Sequence, residues 1–233
     1  MHGTVIFGGT AEGREAAARM RESGERFVVC VTSEYAKSLL PEDAPCHVGA
    51  LDERAMLAFL KEMSPARVID ATHPYAARAT KNIRACCEAL RLPYERIERP
   101  VSEGAWRQDV EHVKDSESAA RALLRTGGNI LLTTGSRTLS VYTSLVDPAR
   151  LWARVLATGE ALALCEAAGI PPAHIIAMQG PFSAAFNAAL YDMLDIRAMV
   201  SKDSGEKGGV AEKVIPALER DIHVILIDRP REE

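Results

Sequence analysis

Aromatic residues make up only 5% of the 233-residue chain, and no long basic run occurs in it. Stacking platforms for single-stranded nucleic acid are therefore not expected. A formal net charge of −4 argues against a general polyanion-binding face and leaves room only for a local basic pocket. No apolar stretch approaches the roughly 20 residues that span a bilayer. The opening Met1-His2-Gly3-Thr4-Val5-Ile6-Phe7 has neither a basic leader nor a cleavage site and reads as a strand that begins at once. The five cysteines, Cys30, Cys46, Cys86, Cys87 and Cys165, are scattered and lack metal-ligand spacing. Reduced thiols in a cytoplasmic protein, with no metal site, are the expectation. Gly-x-Ser-x-Gly, Walker and His-Glu-x-x-His sequences are also missing, so no hydrolytic nucleophile is offered.

What is present is a run of short β-branched segments alternating with Ala-rich helical ones, the pattern of a parallel sheet covered on both faces. Strands are expected at Thr4–Gly8, Phe27–Thr32, His47–Gly49, Arg67–Asp70 and Tyr94–Ile97, then at Asn129–Thr133, Leu151–Leu156, His174–Ala177, Ala198–Val200 and His223–Ile227. Helices are expected at Glu12–Glu22, Tyr35–Leu40, Glu53–Met63, Ala76–Leu90, Ser116–Arg125, Leu139–Leu145, Glu160–Ala168, Ser183–Met193 and Ala211–Arg220. Ile97-Glu98-Arg99-Pro100 is echoed by Ile227-Asp228-Arg229-Pro230, which points to two related α/β halves, residues 1–100 and 101–233. Ligands of open α/β sheets bind at the carboxyl ends of strands, so chemistry is sought there.

The first strand runs into Gly8-Gly9-Thr10-Ala11-Glu12-Gly13 and a helix, like a dinucleotide fingerprint in which Thr10 replaces the second glycine. The Thr10 hydroxyl is a candidate phosphate donor. The second strand ends at Thr32-Ser33-Glu34, where an acid accepts a ribose 2′-hydroxyl; Glu34 leans towards NADH, and nearby Lys37 leaves NADPH open. Asp70-Ala71-Thr72-His73-Pro74-Tyr75-Ala76 follows another strand, with Pro74 read as the first helical position and Lys81 two turns on. Thr133-Thr134-Gly135-Ser136-Arg137 forms an anion cradle with Ser136 as a helix cap. Met178-Gln179-Gly180-Pro181-Phe182-Ser183 reads alone as a turn, with Gln179 offering an amide. Ser201-Lys202-Asp203-Ser204-Gly205, continuing through Lys207, is the most polar strand end.

Taken in order, these motifs resemble the precorrin-6A reductase family over nearly the whole chain. The Ile69–Ala76 stretch and Lys81-Asn82-Ile83-Arg84 are closest to its cobalt-precorrin-6A type. The resemblance implies two Rossmann-like domains with mainly parallel sheets and an inter-domain cleft, and NAD(P)H-dependent reduction of one ring double bond of (cobalt-)precorrin-6A in cobalamin synthesis. The Gly8–Gly13 turn, with Ser33, Glu34 and Thr72, would serve the nucleotide, and the second domain would add substrate and cofactor contacts. Thr134, Gly135, Ser136, Gln179, Ser201, Asp203 and Ser204 would line the ring site, and Lys81, Arg99, Arg137, Lys202 and Lys207 are the cations for a carboxylate-fringed tetrapyrrole. His73, Tyr75 and Lys202 are the candidate proton donors, with solvent as a fourth source. A monomer or small homo-oligomer is expected.

A dehydrogenase or epimerase of another small anionic substrate is the first rival. None of Tyr35, Tyr75, Tyr94, Tyr142 and Tyr191 has the lysine four residues on that such enzymes commonly carry. A non-catalytic nucleotide-sensing module leaves the Ser201–Gly209 loop without a purpose. A cofactor-free tetrapyrrole enzyme similar in layout to uroporphyrinogen-III synthase fails to explain the glycine turn with Glu34.

Overall fold

In the computed structural model, residues 3–230 are described. They divide into two units, 3–99 and 100–230, each built on its own parallel sheet. In the first unit the elements are β1 (Thr4–Phe7), α1 (Ala11–Glu22), β2 (Phe27–Val31), α2 (Glu34–Ser38), β3 (Cys46–Val48), α3 (Glu53–Met63), β4 (Arg67–Asp70), α4 (Ala77–Leu90) and β5 (Tyr94–Arg96). The sheet order is β3-β2-β1-β4-β5, all parallel, so the winding reverses between β1 and β4. The strands are apolar on both faces because both are covered. Val5, Phe7, Val28 and Val68 pack with Met56 and Leu60 of α3 and Ile83, Cys86 and Cys87 of α4. Ile6, Val29, Val31 and Ile69 meet Ala16, Ala17 and Met20 of α1.

The second unit contains β6 (Glu111–Val113), α5 (Ser116–Leu123), β7 (Asn129–Leu132), α6 (Leu139–Thr143), β8 (Leu151–Val155), α7 (Gly159–Ala167), β9 (Ile175–Ala177), α8 (Ala184–Met193), β10 (Ile196–Lys202), α9 (Val210–Leu218) and β11 (His223–Ile227). Its order is β6-β11-β10-β7-β8-β9, again parallel, and the reversal falls between β7 and β10.

Four sequence expectations need correction. Strand β6 and the 3-10 turn Ala105–Asp109 before it were not foreseen, because a three-residue edge strand with an exposed histidine carries little apolar signal. Strand β10 is longer than Ala198–Val200, since Ser201 and Lys202 still pair with Leu226 and Ile227 of β11. Both residues therefore stand on a strand rather than in the loop after it. Pro74 is not the first residue of α4; it sits in a turn closed by Ala76 N–H donating to the His73 carbonyl at 2.7 Å, and the helix starts at Ala77. Lys81 accordingly lies just over one turn into α4. Ser136 does not cap a helix, because a 3-10 turn over Ser136–Thr138 precedes α6 and Gly135 stands at its start.

All five cysteines are free thiols. Burial pushes Cys30 up to about 12 and Cys87 up to about 11, with Cys46 and Cys86 as the next contributors respectively. Such thiols stay protonated and serve as packing. Among the described residues no helix is long and apolar enough to cross a membrane.

Candidate active site

At the reversal of the first sheet, the turn after β1 and the turn after β4 are stitched together. The Ala71 N–H donates to the Phe7 carbonyl at 2.9 Å. The Thr10 hydroxyl donates to the Ala71 carbonyl at 2.8 Å and accepts from Gly13 N–H at 3.2 Å, which caps α1. Thr10 is buried, and these two bonds fasten the turns to each other. Gly9 has φ +101° with open space where a Cβ would project, and Gly13 lies so close to Gly8 that a Cβ there would come 3.0 Å from the Gly8 Cα. Helix, strand and turn approach as they do where a helix N-terminus is offered to a pyrophosphate.

Glu12, in the first turn of α1, accepts two bonds from Arg99, Nε to Oε1 and Nη2 to Oε2, each 2.7 Å long. The two side chains are 11% and 8% exposed. Burial alone would raise the Glu12 carboxyl, but the Arg99 fork, helped by its own backbone and by Thr10, holds it at about 2. Arg99, expected as a cation for the substrate, pairs with Glu12. Because the folded value lies below the ordinary 4.5, the pair stabilises the fold above that pH, and the contribution disappears as pH falls from about 4.5 to about 2. Glu12→Gln should remove a stabilisation on the order of 3 kcal/mol at pH 7. Urea unfolding at pH 7 and pH 3 checks this: the gap between wild type and variant should narrow at the lower pH.

Sequence reasoning missed the group behind this turn. Asp70, fully buried at the end of β4, accepts from Thr72 N–H (2.9 Å), Thr72 Oγ1 (2.7 Å), Tyr94 Oη (3.2 Å) and Arg96 Nη1 (2.6 Å). Arg96 also donates to Thr80 Oγ1 on α4 at 2.7 Å. Burial, then Asp70, pushes the Tyr94 phenol up to about 12. Thr72 is therefore held by backbone and side chain, which fixes where the following turn leaves the sheet. That turn carries His73, exposed, and Tyr75, half-buried, with ring centroids 5.7 Å apart. Ser33 caps α2 by accepting from Ala36 N–H at 3.2 Å. Glu34 is exposed, its carboxylate 3.7 Å from the Lys37 ammonium. Lys81 is exposed on α4.

At the reversal of the second sheet, Lys202 Nζ donates to the Thr134 carbonyl at 2.7 Å. Burial pushes the Lys202 ammonium below the ordinary lysine range. Thr133 binds the Val200 carbonyl through N–H (2.9 Å) and hydroxyl (3.0 Å), and Thr138 Oγ1 reaches Thr134 Oγ1 at 3.3 Å. Asp203 receives Arg107 Nη1 at 3.0 Å, and Arg229 Nε donates to its carbonyl at 2.9 Å. Thr134, Ser201, Asp203 and Ser204 are all buried, and Gly135 and Ser136 half-buried, around this point. Arg137 is exposed and pairs with Glu160 of α7 at 3.1 Å, while Gln179 is exposed on a loop and Lys207 on the 3-10 turn Glu206–Gly208. In each unit, then, part of the motif set stands at that sheet's own reversal, Gly8–Gly13 with Thr72 in the first and Thr134–Ser136 with Ser201–Ser204 in the second. Ser33 and Glu34 instead follow β2, Lys81 lies on α4 and Gln179 follows the edge strand β9.

The family model for precorrin-6x reductase CbiJ/CobK matches residues 4–233. The chain belongs to the precorrin-6x reductase family. Among its curated relatives, the cobalt-precorrin-6A reductase of Priestia megaterium is 34% identical, over 98% of this chain and 91% of its own. That of a Synechocystis strain is 36% identical over 97% and 88% respectively. The solved structure of a CobK precorrin-6A reductase, 24% identical, superposes with a TM-score of 0.82 over 100% of this chain and 90% of that one. This family member therefore has that protein's fold, with both sheets included.

Proposed function

We propose that this chain catalyses NAD(P)H-dependent reduction of one ring double bond of (cobalt-)precorrin-6A, giving (cobalt-)precorrin-6B in corrin-ring synthesis. It is an oxidoreductase acting on a CH–CH bond. The match of the reductase family model across residues 4–233 carries this reading. The cobalt-containing ring is the favoured form, because both relatives named above are cobalt-precorrin-6A reductases. A cytoplasmic enzyme, monomeric or a small homo-oligomer, without a nucleic-acid partner, completes it.

The first unit suits a nicotinamide nucleotide. Gly9, at positive φ with nothing within 4 Å of where a Cβ would project, and the close Gly8–Gly13 packing suit a pyrophosphate at the start of α1, with Thr72 at the same sheet reversal. Gly8, Gly9, Gly13, Ser33, Glu34 and Thr72 would hold the nucleotide. Thr10 and Glu12 act indirectly, one by fixing the turn and the other through Arg99. When bound, the nucleotide supplies a hydride to a ring carbon. The chain's own contribution is to orient the ring and to deliver a proton to its nitrogen or conjugated system. Lys202 is the proton donor we favour over His73 and Tyr75, being partly buried at the second reversal with a lowered proton affinity. Thr134, Gly135, Ser136, Ser201 and Ser204 belong to the same sheet reversal, and Lys207, Arg137 and Gln179 would be outer contacts for ring carboxylates.

Anaerobic incubation with cobalt-precorrin-6A and either reduced nucleotide should consume the nucleotide and change the ring's absorption. No consumption with either nucleotide, for the cobalt or the metal-free ring, would refute the proposal. Glu34 favours NADH. Glu34→Arg should shift the ratio of kcat/KM values roughly tenfold towards NADPH, as expected for replacing a repelled 2′-phosphate neighbour by a bidentate partner. Steady-state assays with both nucleotides check the shift.

A further inference from the structure

Under the loops that follow β9 and β10, the second unit buries two cations that the reaction scheme above does not use. Arg154 lies next to the carboxyl end of β8 and is 7% exposed; Lys213 lies in the first turns of α9 and is 8% exposed. Arg154 Nη1 donates to Asn187 Oδ1 at 2.6 Å, and the guanidinium sits 4.5 Å over the Phe182 ring. Both partners are neutral. Asn187 in turn donates to the Ser183 and Glu212 carbonyls, each at 2.9 Å, which ties the first turns of α8 and α9 together.

The Lys213 ammonium has no hydrogen bond or ion pair among the described residues. The charges acting on it are Arg154, which repels it, and Glu212 and Asp203, which attract it. Glu212 is exposed, and the Asp203 carboxylate is already paired with Arg107. Two buried positive charges thus face one neutralised acid. Burial, then Arg154, pushes Lys213 down to about 7. Taking an ammonium out of water costs several kcal/mol unless a counter-charge meets it. Two helix N-termini add to the positive potential: α8, capped by Ser183, and α9, which has no side-chain cap.

We propose that Arg154 and Lys213, with the open N-terminus of α9, form an oxyanion site that takes one carboxylate of the ring substrate. The identity of the ligand rests on the reductase reading given above. A carboxylate is favoured over a nucleotide phosphate for two reasons. Phe182, stacked on Phe186 at 5.0 Å, supplies an apolar wall for the alkyl chain that carries a ring carboxylate. The glycine turn suited to a pyrophosphate lies in the other unit.

The test uses the whole chain. With seven lysines, 15N-lysine spectra of the wild type should resolve one ammonium signal that is missing from Lys213→Met and moves when acetate or inorganic phosphate is added at constant ionic strength. In turnover, Lys213→Met should raise KM for the ring roughly tenfold and leave the nucleotide Kd within about twofold. If the methionine variant does not fold, Lys213→Gln takes its place. The proposal is overturned if neither anion moves that signal or if the ring KM is unchanged. A nucleotide Kd that rises while the ring KM stays put would overturn the carboxylate assignment. If the wild type bound acetate through Lys213 yet left the ring unreduced, the reductase reading and the ring ligand would fall while the oxyanion site stood.

Discussion

Replacing Lys202 by alanine lowers kcat/KM for the ring about 100-fold and leaves the nucleotide Kd within about twofold, the range expected when a proton donor and a carboxylate partner go together. The asymmetry follows from where the lysine stands. It ends β10, paired in register with Ile227, and its ammonium is anchored on the Thr134 carbonyl across the reversal of the second sheet. The glycine turn belongs to the other sheet. Burial already lowers the proton affinity of Lys202, so it gives up a proton nearer neutral pH than a solvated lysine does. Lys202→Arg should restore ring binding better than turnover, because a guanidinium keeps the charge but does not release its proton. Equal loss of nucleotide and ring binding in Lys202→Ala would show that the residue serves the nucleotide instead.

The second large effect is on stability. Asp70→Ala should cost about 3–5 kcal/mol, the usual penalty for removing one partner of a buried ion pair. The carboxylate collects four bonds, from Thr72 twice, Tyr94 and Arg96. Without it Arg96, which also donates to Thr80 Oγ1, loses the carboxylate it meets at 2.6 Å, and the Thr72 turn loses its tether. Asp70→Ala should therefore also weaken nucleotide binding. The double variant Asp70→Ala, Arg96→Met should recover most of the stability, since no uncompensated charge remains, but not the nucleotide affinity. Urea unfolding and nucleotide titration separate the two. A single-variant cost below about 1 kcal/mol would mean that the pair is not buried as described.

The contrast between Lys202 and Asp70 shows which features a sequence discloses. The glycine turn after β1 and the polar end of β10 are local, and their chemistry is written in consecutive residues. Arg96 can be linked to Asp70 only once β4 and β5 are known to be neighbours, and Arg99 to Glu12 only once the chain has returned across the sheet. The charges that stood out, Arg99 and Arg137, proved to have protein partners in Glu12 and Glu160. Arg154 and Lys213, buried with no acidic side chain bonded to either among the described residues, were passed over. A signal for Lys213 did exist: it shares a helical face with Val210, Val214 and Ala217, all buried. Reading α9 by its period rather than by its polarity would have turned that lysine inward. Strand β6 gave no such opening, being three residues long with an exposed histidine at its centre.

The central claim is that this chain moves a hydride from a nicotinamide to a carbon of the corrin precursor. Turnover of cobalt-precorrin-6A under anaerobic conditions with nucleotide carrying deuterium at C4 tests it most directly. One of the two C4-labelled forms should give a ring product heavier by one deuterium, bound to carbon and not lost on exchange into water. A reduced ring without deuterium from either form would contradict the account.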